Sequence, residues 1–116
     1  MSQSRQIDER TFKFAVQIVK FVRELPTTTD GIILGRQVLR SGTSIGANVE
    51  EAYGTPTKRD FANKMATALK EARETHYWLR VIRDAGIIPA ERINPLIQEA
   101  LEIKLILHKT VNTSRK

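Results

Sequence analysis

The stretch at residues 40–52, RSGTSIGANVEEA, decides the fold, because its small and polar residues suit either a loop or an unusual helix. Each glycine in a helix costs about 1 kcal/mol relative to alanine, which favours a loop from Ser41 to Gly46. Apolar and small residues nevertheless recur every three or four positions from Ile33 to Ala52, as on one face of a helix. We therefore predict a helix that is continuous, or kinked at its glycines, and that a neighbouring backbone can approach closely.

Helical spacing also describes the rest of the chain, and three groups of breaking residues divide it. These are PTTT at 26–29, GTPT at 54–57 and GIIP at 86–89. We predict one domain over residues 1–116, with helices at about 7–25, 30–53, 57–85 and 90–111. Because Asn94-Pro95 is typical of a helix start, we expect a short turn over residues 89–93 before the main fourth helix. Short connections make consecutive helices antiparallel, which predicts an all-α, antiparallel up-down-up-down four-helix bundle.

The composition is basic and free of cysteine. The chain has 19 Lys and Arg against 13 Asp and Glu, which gives a net charge of +6 and a pI near 10.0. Such a surface favours polyanions, of which nucleic acid is the commonest. Without cysteine, disulfide bonds and thiolate metal sites are excluded. No apolar run is long enough to span a membrane, and residues 1–10 contain no apolar signal core, so we expect a cytoplasmic protein.

The sequence shows no combination of residues that carries catalytic chemistry. Metal-binding bundles use paired Glu-x-x-His motifs, but Glu71 is followed at that spacing by Glu74, and His76 is out of register. No serine lies in a context that suggests a partner base, and no glycine-rich loop follows a strand. We therefore predict no enzymatic activity, no metal and no cofactor.

A column of polar residues follows one face of the second segment and is expected to face the third. We interpret it as a structural polar seam, an interhelical hydrogen-bond network that fixes the helix register, because buried polar groups must be paired. A ligand-binding seam is the open alternative. We expect Ser41, Ser44 and Asn48 to be buried and hydrogen-bonded. The residues of the seam are Gln37, Ser41, Ser44, Asn48, Glu51 and Glu74.

The first segment has two apolar stripes, which together cover more of its surface than one bundle core requires. This surplus predicts a second buried contact, with another subunit of a homo-oligomer. We choose Phe14, Ile18 and Phe21 as the candidates for the oligomer contact.

Four basic residues are the candidates for nucleic-acid contact: Arg36, Arg40, Lys58 and Arg59. The first two lie one helical turn apart and the other two open the next helix, so we expect the four to share a rim. We expect contacts with phosphates rather than bases, because the chain has only one Trp, two Tyr and four Phe, and most of them fall in core stripes. The alternative is a protein-interaction scaffold with no nucleic-acid contact.

Two blocks of sequence resemble one known family. The stretch at 40–52 is the first block; KRDF at 58–61 and ALKEARETHYWL at 68–79 form the second, at a matching separation. The chain resembles the bacterial four-helix-bundle protein family, also called the 23S rRNA intervening-sequence protein family. The resemblance implies a ring-like homopentamer whose biochemical role is largely undefined. The polar seam corresponds to polar positions that recur in the family.

This family is similar in fold to the accessory variability determinant of diversity-generating retroelements. That protein is a basic pentamer which binds a reverse transcriptase and nucleic acid. The similarity implies RNA or DNA, and a protein such as a reverse transcriptase, as candidate partners of the present chain. The function that we predict is therefore that of a non-enzymatic, oligomeric, nucleic-acid-binding accessory protein.

Overall fold

The chain folds into four antiparallel helices. The structure, a computed structural model, describes residues 6–115; residues 1–5 and 116 of the predicted domain lie outside this range. Within it the helices are α1 (Gln6–Val22), α2 (Thr29–Tyr53), α3 (Lys58–Asp84) and α4 (Ala90–Ser114), and no strand is present. Each helix packs against the next along the chain, whereas α1 and α4 contact each other only sparsely. The predicted all-α, up-down-up-down four-helix bundle is confirmed, with dimensions of 45 × 23 × 21 Å.

The second helix is continuous through its glycines, which confirms the prediction for residues 40–52. Gly42 and Gly46 are buried against α1. A Cβ atom on Gly42 would lie 2.9 Å from Cγ2 of Ile18, and one on Gly46 would lie 3.2 Å from the backbone oxygen of Thr11. The absence of these Cβ atoms lets the two helices approach closely, and the resulting packing offsets the poor helix propensity of glycine.

Threonine side chains cap the N-termini of the second and third helices. Thr28 Oγ1 accepts a hydrogen bond from the backbone N–H of Gly31 at 3.2 Å, and Thr57 Oγ1 accepts one from that of Asp60 at 3.0 Å. These bonds satisfy N–H groups that have no partner within the helix. After α3, Gly86 adopts a φ of +73°, a conformation that other residues rarely adopt, and the chain turns towards α4.

The predicted turn at residues 89–93 is wrong, because α4 begins at Ala90 and continues through Pro95. Ile93 is fully buried in the core, and burial of its side chain favours helix upstream of the proline. Pro95 lacks the N–H that would bond to the carbonyl oxygen of Glu91. Both residues are exposed, so water has access to that carbonyl and the loss is small.

All four helices contribute to one hydrophobic core. Phe14, Ile18 and Phe21 are fully buried in it, so the prediction that they form a subunit contact is wrong. Their stripe faces inward because its large side chains bury more apolar area against the other helices. The apolar surface that α1 leaves exposed is the other stripe, where Phe12 is 59% and Val16 is 39% exposed.

Candidate nucleic-acid interface

The buried part of the polar seam is a contact between two hydroxyl groups. Ser41 on α2 and Thr75 on α3 are both fully buried, and their hydroxyl oxygens are hydrogen-bonded at 2.8 Å. Thr75 Oγ1 also bonds to the backbone carbonyl of Glu71 at 2.7 Å. No buried side-chain nitrogen or oxygen within residues 6–115 lacks a hydrogen-bond partner. This pair has the geometry of an interhelical register contact, and its polar atoms are already used.

Two other seam residues form their hydrogen bonds within α2 and do not reach α3. Ser44 Oγ donates to the carbonyl of Arg40 at 2.7 Å, and Asn48 Nδ2 donates to the carbonyl of Ser44 at 2.8 Å. Both side chains are only half-buried, so the expectation that they are buried in an interhelical network is wrong. Glu51 is exposed and accepts a hydrogen bond from Lys64 Nζ at 3.4 Å. The seam residues therefore recur at helical spacing in the sequence, but they do not form one continuous hydrogen-bond network.

Arg40 lies at the centre of a charged cluster between α2 and α3. Its guanidinium group contacts Glu74, lies 3.4 Å from Oε2 of Glu71, and donates to Oε1 of Gln37 at 3.0 Å. Burial and the neighbouring Glu74 raise the pKa of Glu71 above its ordinary value. Burial also acts to raise the pKa of Glu74, but hydrogen bonds from Trp78 and Arg40 outweigh it and lower the pKa. Two carboxylates thus compensate the charge of Arg40.

The four basic residues chosen from the sequence do not share a rim. Arg36 and Arg40 lie in the first half of α2, whereas Lys58 and Arg59 begin α3, beside the far end of α2. At 1.5 Å per residue, the rise from Arg36 to the end of α2 is about 25 Å, which separates the two pairs. Arg36, Lys58 and Arg59 are exposed and have no ion pair with any described residue, but Arg40 is held by Glu71 and Glu74.

A different basic surface lies along α3 and α4. Arg73, His76, Arg80 and Arg83 follow one another at intervals of three, four and three residues, which places them on one face of α3. Burial, and after it the charges of Lys104, Arg80 and Arg83, lower the pKa of His76 below its ordinary value of 6.5. No carboxylate is among the groups that act on this imidazole. We name these five residues, including Lys104 of α4, the α3–α4 basic stripe.

Most of the positive charge of the α3–α4 basic stripe is uncompensated. Arg83 pairs with Asp84 at 2.9 Å and donates to Oδ1 of Asn94 at 3.2 Å. Arg73, Arg80 and Lys104 form no ion pair with any residue in the range 6–115. The helical spacing of the α3 residues was readable in the sequence. The position of Lys104 was not, because it depends on how α4 packs against α3.

The face between α1 and α4 also carries cations, two of which are paired. Arg10 donates to Glu99 at 2.8 and 2.7 Å and to Glu102 at 2.7 Å, and these hydrogen bonds raise its pKa. Arg92 likewise forms an ion pair with Glu24. Lys13 and Lys20 of α1 line the same groove, are exposed and form no ion pair with a described residue, so this face keeps part of its positive charge.

No group of three or more His, Asp or Glu side chains between residues 6 and 115 converges so that it could hold a metal ion. None of the four helices is long and apolar enough to cross a lipid bilayer.

The fold and its surface define a class of small, basic, all-helical bundle proteins. The family model described as 23S rRNA-intervening sequence protein matches residues 3–109, and the chain belongs to this family. A crystal structure of a protein with unknown function from the S23 ribosomal protein family of Bacteroides thetaiotaomicron VPI-5482 is similar, with a TM-score of 0.84 and 36% identity. The match covers 90% of this chain and 97% of that chain. A comparison with curated proteins gives no match. The resemblance found in the sequence is thus confirmed.

Proposed function

We propose that the chain is a non-enzymatic, oligomeric protein that binds nucleic acid through phosphate groups, and that the α3–α4 basic stripe is the contact surface. The observation that carries the proposal is that Arg73 and Arg80 lie on one face of α3 and, like Lys104 of α4, form no ion pair with any described residue. Phosphates are the groups that lysine and arginine side chains contact most often in nucleic acids. The cysteine-free sequence suits the reducing cytoplasm, where we propose that the protein acts.

We propose that the subunits of a homo-oligomer meet through a different surface. Exposed apolar side chains lie on the outer faces of α1 and α2: Phe12, Val16, Ile32 and Leu39 are 37–59% exposed. The basic stripe lies on α3 and α4, so assembly through the outer faces of α1 and α2 should leave it accessible. The family resemblance suggests five subunits. A pentamer would carry five times the +6 charge of one chain, which favours polyanion binding.

Fluorescence anisotropy with labelled RNA, duplex DNA and RNA–DNA hybrid, from about 50 to about 300 mM salt, tests the binding. The logarithm of the association constant should fall linearly with the logarithm of the salt concentration, by about 0.9 per phosphate neutralised on duplex DNA. In the variant Arg73→Glu/Arg80→Glu/Lys104→Glu the affinity should fall at least about tenfold. The slope of the logarithm of the association constant against the logarithm of the salt concentration should become shallower by up to about three.

The matched control is Arg36→Glu/Lys58→Glu/Arg59→Glu, which replaces three exposed, unpaired cations and changes the net charge equally. If both triple variants weaken binding equally, net charge rather than the stripe is responsible. If the unmodified protein binds no nucleic acid even at the lowest salt concentration, the proposal is wrong. The exposed apolar side chains of α1 and α2 would then favour the alternative, a protein-interaction scaffold whose partner is a protein such as a reverse transcriptase.

A further inference from the structure

An exposed aromatic ring lies beside the α3–α4 basic stripe. Tyr77 is 51% exposed on the outer surface of α3. It follows Arg73 by four residues and precedes Arg80 by three, so both arginines are its neighbours on the helix surface. Neither arginine forms an ion pair with a described residue. Arg80 Nε donates to the backbone carbonyl of His76 at 3.4 Å, which leaves its terminal nitrogens available. The sequence interpretation, which placed most aromatic side chains in the core, did not identify this position.

The ring of Tyr77 packs against the ring of the next residue in the chain. It makes an edge contact with Trp78, with ring centroids 5.1 Å apart and an interplanar angle of 72°. The half-buried Trp78 donates from Nε1 to Oε1 of Glu74 at 3.2 Å, and Glu74 is in turn held by Arg40 of α2. A tyrosine side chain has only two rotatable torsions, so ordering this half-exposed ring against a ligand has a small entropic cost.

We propose that the α3–α4 basic stripe selects single-stranded nucleic acid, with a base stacked on Tyr77 and flanking phosphates bound by Arg73 and Arg80. This inference rests on the proposed function and names its substrate class. In a duplex the bases stack on one another and hide their faces, whereas in a single strand each base can stack on a protein ring. Stacking of this kind tolerates any sequence, because every base has an aromatic face.

The other strongly exposed aromatic side chain shows why charge matters here. Phe12 is 59% exposed on α1, but none of its neighbours one turn away is basic; they are Asp8, Glu9, Ala15 and Val16. Without a neighbouring cation there is no phosphate contact beside this ring, which belongs to the apolar face of α1 and α2. Tyr77 is thus the exposed ring, within residues 6–115, that has an arginine one turn away in each direction.

The test compares Tyr77→Leu, which removes the aromatic face but keeps apolar bulk, with Tyr77→Phe, which keeps the ring. The ligands are labelled oligouridylate, a duplex RNA of the same length, and inorganic polyphosphate as a competitor that has charge but no bases. Tyr77→Leu should weaken binding of the single strand about tenfold, while Tyr77→Phe should bind as the parent does. Both variants should retain the parent's affinity for the duplex. They should also retain its affinity for polyphosphate, measured by displacement of the labelled duplex. Since Trp78 is the only tryptophan in the chain, its fluorescence should also change when the single strand binds.

Circular dichroism melting shows whether each variant is folded, and Tyr77→Phe supplies the comparison if Tyr77→Leu is destabilised. Equal affinity of Tyr77→Leu and the parent for the single strand would overturn the stacking inference and leave phosphate binding by the stripe intact. An equal loss for single strand and duplex would overturn it as well. Failure of the unmodified protein to bind any of the three ligands would instead contradict the proposed function itself.

Discussion

The hydroxyl groups of Ser41 and Thr75 form a buried hydrogen bond between α2 and α3. Thr75→Val keeps the shape of the side chain but leaves the buried Ser41 hydroxyl without this partner. We expect the free energy of unfolding, measured by urea denaturation, to fall by about 1–2 kcal/mol. The double variant Ser41→Ala/Thr75→Val should lose less free energy of unfolding than the sum of the two single losses, because no buried hydroxyl of the pair is then left without a partner. Additive losses would show that the two hydroxyls do not interact.

His76 makes the stability of the protein depend on pH. In the folded protein its pKa is lowered below the ordinary value of 6.5. At a pH between the folded and the unfolded pKa, the unfolded chain therefore binds more protons than the folded one. Stability should therefore be unaffected by this residue above about pH 7 and should fall as the pH drops below 6.5. In His76→Gln this loss between about pH 7 and about pH 5 should become smaller in urea denaturation, with His108→Gln as the matched control. An unchanged pH dependence in His76→Gln would contradict the assignment.

The same imidazole links pH to ligand binding. A phosphate placed between Lys104 and the arginines of α3 would offset the cations that lower the pKa of His76. Bound phosphate should therefore raise this pKa, and affinity should increase as the pH falls towards 6. A nuclear magnetic resonance titration of His76 with and without oligonucleotide measures the shift directly.

At the level of the helices, the packing of α1 against α2 requires glycine at position 42. A Cβ atom there would lie 2.9 Å from Cγ2 and 3.0 Å from Cγ1 of Ile18, which is fully buried, and both carbons are attached to its branched, stiff Cβ. We expect Gly42→Ala to lower the free energy of unfolding by about 1–2 kcal/mol, because the overlap outweighs the better helix propensity of alanine. Gly54→Ala is the control, since its Cβ would meet only the carbonyl of Glu51 at 3.5 Å. Equal stabilities of the two variants would refute the close-packing account.

The helices themselves could be predicted because their apolar spacing is a local property of the chain. Periodicity correctly favoured helix over loop at residues 40–52, although the glycines opposed it. Periodicity gave wrong predictions where two local structures fit the sequence and the packing of the helices decides between them. The inward face of α1 depends on the fit of Ile18 against Gly42, and the start of α4 depends on the burial of Ile93 in the core.

The candidate site was less predictable, because it combines residues from helices that are distant in sequence. The spacing of Arg73, Arg80 and Arg83 is visible in the sequence, but their significance depends on Lys104 reaching the same face. Conversely, Arg40 is exposed enough to suggest a ligand contact, and only the packing of α3 shows that Glu71 and Glu74 compensate its charge. Charge patterning along one helix does not reveal which charges are cancelled by the next.

At the level of the whole molecule, the two candidate surfaces belong to different pairs of helices. Phe12, Val16, Ile32 and Leu39 are exposed on α1 and α2, whereas Arg73, Arg80 and Lys104, which have no ion pair with a described residue, lie on α3 and α4. A ring of subunits that meet through the first surface would repeat the second around its outside. Each stripe would then bind phosphates weakly, and a polyanion that spans several stripes would bind with a higher overall affinity.

Sedimentation equilibrium tests this arrangement. We expect the parent protein to have about five times the 13.2 kDa mass of one chain, and Phe12→Asp/Val16→Asp to shift towards the monomer, because a buried contact between subunits would then contain unpaired charges. Leu105→Asp is the matched control, since Leu105 is 57% exposed on α4, away from the apolar face of α1 and α2. Because the monomeric variant keeps its basic stripe, it should retain binding to a short oligonucleotide and lose affinity for a long one. A parent protein that remains a monomer at micromolar concentration, or a control that dissociates as readily as the double variant, would exclude an assembly through α1 and α2.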